Sequence, residues 1–244
     1  MKYTITHASL QGKRPTNEDE LFVHRDKKIV SLCVFDGHGG KFISGYLKKS
    51  VSHFVKKYDN YNNKLKIRRF YDKIHKHLIK TYPKEAKYVG STALWVMLQK
   101  NKVLIANTGD CRAVLSRNNL AIALTKDHKP HWIDEKKRIT KLKGQIKFDG
   151  MDWRIKNLSV SRAFGDLDTY PYITYKPELF EYSLSKLDQF MIIACDGLWD
   201  VMTNQEVVHF VLHNKTQTAM KLAKYAIKKG STDNISVIVV FFKN

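Results

Sequence analysis

Residues 91–124 read STALWVMLQKNKVLIANTGDCRAVLSRNNLAIAL, and this stretch indicates the fold class most clearly. It contains four apolar runs with the length of strands, at residues 91–98, 103–107, 113–116 and 121–124. The polar connections at residues 99–102 and 117–119 have the length of hairpin turns. We therefore expect an antiparallel meander in the middle of the chain.

Outward from this meander, strand patterns and helix patterns occur in separate blocks. Strands are predicted at Tyr3–Leu10, Leu21–Val23, Ile29–Phe35, Phe190–Ala194 and Ile235–Phe242. Helices are predicted at Phe42–Val55, Leu65–Leu78, Ile133–Leu142, after the capping box Thr203/Glu206, and at Thr218–Lys228. This segregation predicts an α+β fold in which antiparallel sheets lie beneath helices. Because there is no repeat, linker or low-complexity tail, we expect a single domain over residues 1–244.

Composition excludes several classes of protein. The chain has 244 residues, of which 43% are hydrophobic, so it can bury a core and is not disordered. No apolar run is long enough to cross a bilayer, and the first residues contain no signal-peptide segment, so no membrane role is expected. Three separated cysteines without a CxxC pair indicate neither a disulfide framework nor a zinc site. We expect an intracellular monomer, in the cytoplasm or nucleus.

The formal charge of +20 is unevenly distributed. The stretch from Lys41 to Lys87 contains fourteen Lys and Arg residues and three acidic residues. Such a stretch is most simply explained as a solvated face of two helices. The alternative is a basic face that binds an acidic partner or nucleic acid, although no nucleic-acid-binding motif accompanies it.

Several aspartates follow apolar strands and lie beside glycines. The three clearest cases are Asp36-Gly37, Gly109-Asp110 and Asp196-Gly197, and Asp233 directly precedes the last predicted strand. This arrangement places carboxylates at the rim of a sheet, where a ligand can approach the backbone closely. Each case alone could be an ordinary turn. Together they indicate a cluster of hard oxygen donors, which suits Mg²⁺ or Mn²⁺ better than zinc.

Eight motifs in a fixed order resemble the metal-dependent protein Ser/Thr phosphatases of type 2C. They lie at residues 12–19 (GKRPTNED), 35–40 (FDGHGG), 90–93 (GSTA), 108–112 (TGDCR), 124–130 (LTKDHKP), 158–166 (LSVSRAFGD), 194–202 (ACDGLWDVM) and 230–237 (GSTDNISV). The resemblance covers nearly the whole chain. Two departures, Cys111 and a basic flap from His131 to Asn157, leave the substrate preference open and do not affect the expected ligands.

The resemblance implies a fold, a reaction and a set of site residues. The fold would be two stacked antiparallel sheets flanked by helix pairs, an αββα sandwich. The reaction would be hydrolysis of phosphoserine and phosphothreonine in phosphoprotein substrates, by attack of a water that bridges two Mn²⁺ or Mg²⁺ ions. Asp36 resembles the carboxylate that bridges both ions. The other implied metal ligands are Asp196, Asp233, Glu18 and the carbonyl of Gly37, with Asp110 and Asp200 for a weaker third ion.

Three further residues would act on the substrate or its nucleophile. Arg14 resembles the phosphate clamp, because its planar fork fits two phosphate oxygens. Asp19 resembles an outer residue that orients metal-bound water. His38 matches the general acid for the leaving oxygen, although water could also supply that proton.

Two other functional classes stay open beside an active phosphatase. A catalytically dead relative could act as a binding module, but the complete set of acids argues against it. A basic nucleic-acid-binding protein is suggested by charge alone.

Overall fold

The computed structural model describes residues 2–26, 28–58 and 61–243. The first half of the chain forms β1 (Lys2–Leu10), β2 (Glu20–Arg25), β3 (Val30–Phe35), β4 (Gly37–His38), α1 (Phe42–Lys57), α2 (Lys64–Thr81), β5 (Gly90–Ser91), β6 (Ala93–Gln99), β7 (Lys102–Thr108), β8 (Arg112–Arg117) and β9 (Leu120–Ala123). The second half forms α3 (Ile133–Lys141), β10 (Lys147–Phe148), β11 (Trp153–Arg154), β12 (Phe164–Gly165), β13 (Glu178–Ser183), β14 (Asp188–Ala194), α4 (Asp196–Trp199), α5 (Asn204–His213), α6 (Thr218–Lys228) and β15 (Ile235–Lys243).

Two five-stranded sheets form the centre of the structure. One has the strand order β1-β15-β14-β8-β9 and the other β13-β7-β6-β3-β2. Every pairing within them is antiparallel. A smaller three-stranded sheet has the order β12-β5-β4.

The two large sheets stack face to face, with helices on both outer faces. The buried cluster between them draws on alternate residues of both sheets, such as Leu32, Val96 and Ile193. The intervening residues of β3 and β6, such as Trp95, point outward into a second cluster with α1 and α2. A third cluster joins the opposite sheet to α4, α5 and α6. The predicted α+β class and αββα sandwich are therefore confirmed.

Local signals account for the ends of two helices. Thr203 and Glu206 form the predicted capping box, in which each side chain bonds to the backbone N–H of the other. Asn63 caps α2 by accepting a hydrogen bond from the backbone N–H of Lys66. Within the described residues, none of the helices is both long enough and apolar enough to cross a bilayer.

The predicted meander is wrong in one respect, because its four strands do not lie in one sheet. β6 and β7 form a hairpin, but β7 pairs on its other side with β13, whereas β8 pairs with β9 and β14 in the opposite sheet. The chain changes sheets at Gly109, whose φ of +113° is a conformation that L side chains rarely adopt. The apolar runs did not indicate this change, since an apolar run predicts a strand but not the sheet to which the strand belongs.

We expect Gly109→Ala to destabilise the fold by about 2–4 kcal/mol. The added Cβ would lie 2.5 Å from Cγ2 of Thr92, and the backbone angle would also be strained. Gly230→Ala is the matched control, because Gly230 has a similar φ of +107° but no atom within 4 Å of its Cβ position. Urea unfolding should therefore show a larger loss for Gly109→Ala, and equal losses would contradict the steric explanation.

Candidate active site

Three carboxylates meet where strands of both sheets end. Asp36 follows β3, Asp110 lies in the turn after β7, and Asp196 begins α4 directly after β14. Each of them places one side-chain oxygen within 4.8 Å of the other two. Because β3 and β7 belong to one sheet and β14 to the other, the cluster depends on how the sheets are stacked.

A second group lies beside the first and shares Asp36 with it. Oxygens of Asp19 and Asp36 and the sulfur of Cys195 lie within 4.8 Å of one another. Asp19 is only 3% exposed, and although the side chains of Ser236 and Cys195 lie beside it, neither of its carboxylate oxygens meets hydrogen-bond geometry with a described residue. A buried carboxylate without partners is costly. These oxygens therefore fit a place beside a cation or beside water bound to one.

The donor chemistry fits a hard divalent cation. Burial raises the pKa of the Cys195 thiol well above its usual value, so the sulfur stays protonated at neutral pH. A protonated thiol is a poor metal ligand, because zinc and other soft ions need the thiolate. The remaining donors are carboxylate oxygens, which Mg²⁺ and Mn²⁺ prefer.

Crowding and desolvation make the ionised carboxylates unfavourable without a cation. Burial, followed by the charges of Asp196, Asp19 and Asp110, raises the pKa of Asp36 well above its usual value. Burial, followed by the charge of Asp110, raises the pKa of Asp196 to about 8. Burial raises the pKa of Asp19 to about 6. A bound divalent cation would neutralise this repulsion and lower all three pKa values.

Two side-chain cations already contact the acidic cluster. Nη2 of Arg14 lies 2.7 Å from Oδ2 of Asp233, and the guanidinium is more than half exposed toward solvent. Nζ of Lys129 forms an ion pair with the buried carboxylate of Asp110. Burial alone would lower the pKa of Lys129, but the charges of Asp110 and Asp196 outweigh it and raise that pKa. Lys129 therefore stays charged inside the cleft.

The loop that carries Arg14 and Glu18 is held in place by Asn234. Oδ1 of Asn234 accepts a hydrogen bond from the backbone N–H of Glu18 at 2.9 Å, and its Nδ2 donates to the carbonyls of Gln11 and Thr16. The Glu18 side chain accepts a hydrogen bond from the backbone N–H of Gly40 at 2.9 Å. The Glu18 carboxylate is thereby fixed at the entrance to the Asp36 cluster.

The predicted site residues lie around one cleft of about 460 Å³. Its walls include Arg14, Glu18, Asp36, Gly37, His38, Asp110, Asp196, Asp200 and Asp233. Asp19 is buried next to Asp36. The flap contributes another part of the wall through Asp152, Arg154 and Asn157, and residues 158–160 of the motif that follows it continue this wall. The structure thus brings together all the residues singled out in the sequence, while their individual roles stay predictions.

His38 has a partner that the sequence did not assign. Its Nε2 donates a hydrogen bond of 2.8 Å to Oδ2 of Asp166, which is almost completely buried. Burial alone would lower the pKa of His38, but the hydrogen bond to Asp166 and its charge outweigh burial and raise that pKa. The imidazole is therefore held in a protonated form over a wider pH range.

The small sheet β12-β5-β4 explains how these two residues meet. His38 ends β4 and Asp166 directly follows β12, and both strands pair with β5. Gly90, on β5, lies beneath the contact. A Cβ at Gly90 would fall 2.1 Å from Oδ2 of Asp166 and 2.3 Å from Nε2 of His38. The close approach of the pair therefore requires glycine at this position.

Three contributors to the site were not identified from the sequence: Lys129, Asp166 and Asn234. Lys129 and Asp166 lie within recognised motifs, and Asn234 follows a predicted ligand, so position alone suggested that they matter. Their roles depend on contacts between residues 19 to 216 positions apart, such as Lys129 with Asp110 and Asn234 with Glu18. Such contacts cannot be derived from local patterns.

Comparisons with known proteins agree with this geometry. The family model described as protein phosphatase 2C matches residues 5–235. A PP2C-like domain-containing protein of Acanthamoeba polyphaga mimivirus is 46% identical over 172 residues, covering 59% of this chain and 96% of that protein. A probable protein phosphatase 2C of Arabidopsis thaliana is 37% identical over 250 residues, covering 99% of this chain and 70% of that protein.

Solved structures show the same fold. A sex determining protein of C. elegans superposes with a TM-score of 0.88 at 25% identity, covering all of this chain and 65% of that one. A serine-threonine phosphatase 2C of Toxoplasma gondii superposes with a TM-score of 0.85 at 23% identity, covering 99% of this chain and 95% of that one.

Without metal, we expect the protein to lose several kcal/mol of stability as the pH rises from about 4, the ordinary pKa of an aspartate, to about 8. The pKa values of Asp19 and Asp196 are raised to about 6 and about 8, so the folded state binds more protons than the unfolded state. Stability is then greatest below this range and is lost as these carboxyls ionise. Saturating Mn²⁺ should reverse the trend, because the cation replaces the protons.

The measurement is urea unfolding across this pH range, with either EDTA or Mn²⁺. Asp19→Asn, which cannot ionise, should give a shallower fall in EDTA. A free energy of unfolding that rises with pH in EDTA would contradict the expected electrostatic strain.

Proposed function

Because the chain belongs to the protein phosphatase 2C family and is a metal-dependent Ser/Thr protein phosphatase, we propose a role in this reaction for each of its site residues. Two divalent cations, Mn²⁺ or Mg²⁺, would be held by Asp36, Asp196, Asp233, Glu18 and the carbonyl of Gly37. The observation that carries this proposal is that Asp36 belongs to both groups of close donor atoms, the one with Asp19 and the one with Asp110 and Asp196. A carboxylate in that position can serve two ions at once.

When bound, the two cations would neutralise the phosphate dianion and lower the pKa of a water molecule to make it a nucleophile at neutral pH. Asp19 would accept a hydrogen bond from that water and orient it, because both of its oxygens lack another partner among the described residues. Asp19 is too deeply buried to reach the phosphate itself.

Arg14 would bind the phosphate group. Its side chain is 57% exposed at the mouth of the cleft, and among the described residues Asp233 is its one ion-pair partner, through Nη2. The hydrogen bond to Asp233 is the main reason that the pKa of Arg14 is raised further. The ion pair thus fixes the guanidinium while other N–H groups remain available for phosphate oxygens.

His38 would protonate the departing serine or threonine oxygen. It lines the cleft, and the hydrogen bond to Asp166 uses Nε2, which leaves Nδ1 to deliver the proton. Asp166 favours the protonated imidazole that a general acid requires. We therefore assign Asp166 as a positioning residue that acts through His38.

The position of Lys129 favours a site that binds two cations over a site that binds three. In the implied third site, Asp110 would bind a cation together with Asp196 and Asp200, but Asp110 already pairs with the ammonium of Lys129. Burial raises the pKa of Asp200, and the same ammonium opposes this rise. A third divalent ion would have to compete with this fixed charge, so we expect it to bind weakly.

The function is tested by hydrolysis of a phosphothreonine peptide with purified protein. Activity should be lost in EDTA and return with Mn²⁺ or Mg²⁺, because the proposed nucleophile and charge neutralisation both depend on the ions. Asp36→Asn should lower kcat by at least about 1000-fold with Mn²⁺ present, since it removes the shared charge.

Circular dichroism and unfolding curves should confirm that Asp36→Asn is folded. Full activity in EDTA would exclude the two-metal proposal, and near-normal kcat for folded Asp36→Asn would exclude the assigned role of Asp36.

Asp166→Asn should lower kcat by about 10- to 100-fold with little change in KM. The substitution keeps the shape of the side chain but removes the charge that raises the pKa of His38, so the alkaline limb of the kcat profile should move to lower pH. A substrate with a good leaving group, such as para-nitrophenyl phosphate, needs no general acid and should be much less affected. Equal losses on both substrates, without a shift in the pH profile, would mean that Asp166 is only structural.

A further inference from the structure

Helices α1 and α2 leave an open groove between them on the outer face of the sandwich. Each helix buries one stripe of side chains against the sheet, for example Leu47 and Val51 on α1 and Ile67 and Leu78 on α2. Each helix also turns a second stripe toward the other helix. On both helices this second stripe follows the spacing i, i+3, i+4, i+7, i+8 and i+11, starting at Tyr46 on α1 and at Lys66 on α2.

Aromatic contacts join the two helices across the groove and show that the helices run antiparallel. The rings of Phe54 and Phe70 stack with centroids 4.2 Å apart, and those of Tyr46 and His77 stack with centroids 5.8 Å apart. Between these contacts α1 presents Ser50, which is too small to fill the space. The result is a cavity of about 690 Å³ that opens to solvent.

The floor of the groove is apolar. Phe70 and Ile74 are buried beneath it, and Tyr46 and Phe54 are half-buried along its walls. Tyr58, at the end of α1, is 43% exposed. A concave apolar surface of this kind on a soluble chain is typical of a binding site for another molecule.

The rim of the groove is cationic. Lys49 on α1 and Arg69 and Lys73 on α2 are exposed, and none of the three has an ion-pair partner within the part of the chain that the structure describes. Other cations of this basic stretch are engaged elsewhere. Lys41 and Lys48 both pair with Glu20, at 3.2 and 2.7 Å. The apolar floor is therefore bordered by unpaired cations, within a basic face that continues over the outer sides of both helices.

We propose that this groove docks an acidic amphipathic helix of a partner protein. Eight residues separate Tyr46 from Phe54, so the groove is about 12 Å long, which matches about two turns of a helix. Apolar side chains at i, i+3 or i+4, and i+7 of the partner would enter the groove, as in other helix-in-groove complexes. Its carboxylates would pair with the cationic rim.

The shape of the groove favours a peptide over the other anionic surfaces. A flat bilayer would contact the rim but could not reach the recessed floor at Phe70 and Ile74. Single-stranded nucleic acid needs exposed aromatic faces on which bases can stack, and here the rings of Phe54 and Phe70 stack on each other. An acidic helix satisfies the charge of the rim and the apolar floor together.

The test measures peptide binding by fluorescence polarisation. The labelled peptide has about 16 residues, with leucines at i, i+3, i+4 and i+7 spacing on one face of the helix and glutamates on the other. A peptide of the same composition with the leucine spacing scrambled is the first control. We expect the amphipathic peptide to bind at least about tenfold more tightly. Phosphatidylserine vesicles and a single-stranded oligothymidylate are titrated in parallel.

Two groove variants and one matched control locate the binding. Charge reversal of the rim by Lys49→Glu, Arg69→Glu and Lys73→Glu should weaken peptide binding at least about tenfold. Ser50→Phe, which fills the groove without changing charge, should weaken it similarly. The control reverses three exposed lysines of the same helices outside the groove, Lys56→Glu, Lys76→Glu and Lys80→Glu, and should retain most of the binding.

Hydrolysis of a small phosphothreonine peptide should be unchanged in all variants, because none of these residues lines the catalytic cleft. This readout, with the melting temperature, shows that the variants are folded. Equal loss in the control variant, equal binding of the scrambled peptide, or full binding by Ser50→Phe would each overturn the proposal. The proposal would also be overturned if vesicles or oligothymidylate bound more tightly than the peptide and if the groove variants weakened that binding. The surface would then bind a membrane or nucleic acid.

Discussion

The mutual repulsion of carboxylates in a desolvated cleft is the constraint on which this structure depends. Asp19, Asp36 and Asp196 have raised pKa values because they are crowded together away from bulk water. Arg14 and Lys129 neutralise the two edges of the cluster, at Asp233 and Asp110. No described side-chain cation pairs with Asp36 at the centre of the cluster, so the remaining charge is neutralised by protons, which the raised pKa values favour, or by cations from solution. The same excess of negative charge therefore determines both the stability of the site and its chemistry.

The sandwich is what makes such crowding possible. Strands from two sheets end at one edge, and the buried cluster between the sheets fixes their relative position. Carboxylates on flexible loops would move apart to relieve their repulsion, whereas those at the ends of buried strands cannot. Strands β3 and β6 are buried on both faces, so they cannot shift easily. This rigidity holds the carboxylates together in spite of their mutual repulsion.

Local sequence signals predicted the individual helices and strands, whereas the resemblance to type 2C phosphatases predicted how they assemble into the sandwich. Helix α6 has the predicted bounds, Thr218–Lys228, and the capping box at Thr203 is present, because both depend on residues close in the chain. The sheet change at Gly109 was not predicted, since an alternating apolar pattern shows that a strand is buried but not which sheet it joins. The contact between His38 and Asp166 was also missed, because it joins residues 128 positions apart through a third strand.

Negative and positive charges lie in two separate regions of this chain, the cleft and the groove, and helix α1 connects them. The acidic cleft lies just before its first turn, at Asp36 to His38, and the proposed cationic groove runs along its side from Tyr46. Without divalent ions the cleft would repel phosphate while the groove attracted acidic segments. Metal binding would neutralise most of the negative charge of the cleft without altering the groove. A phosphoprotein with an acidic helix would then be attracted at both places, and this attraction would weaken at high salt. Productive orientation of such a substrate would thus depend on the metal as well as on the groove.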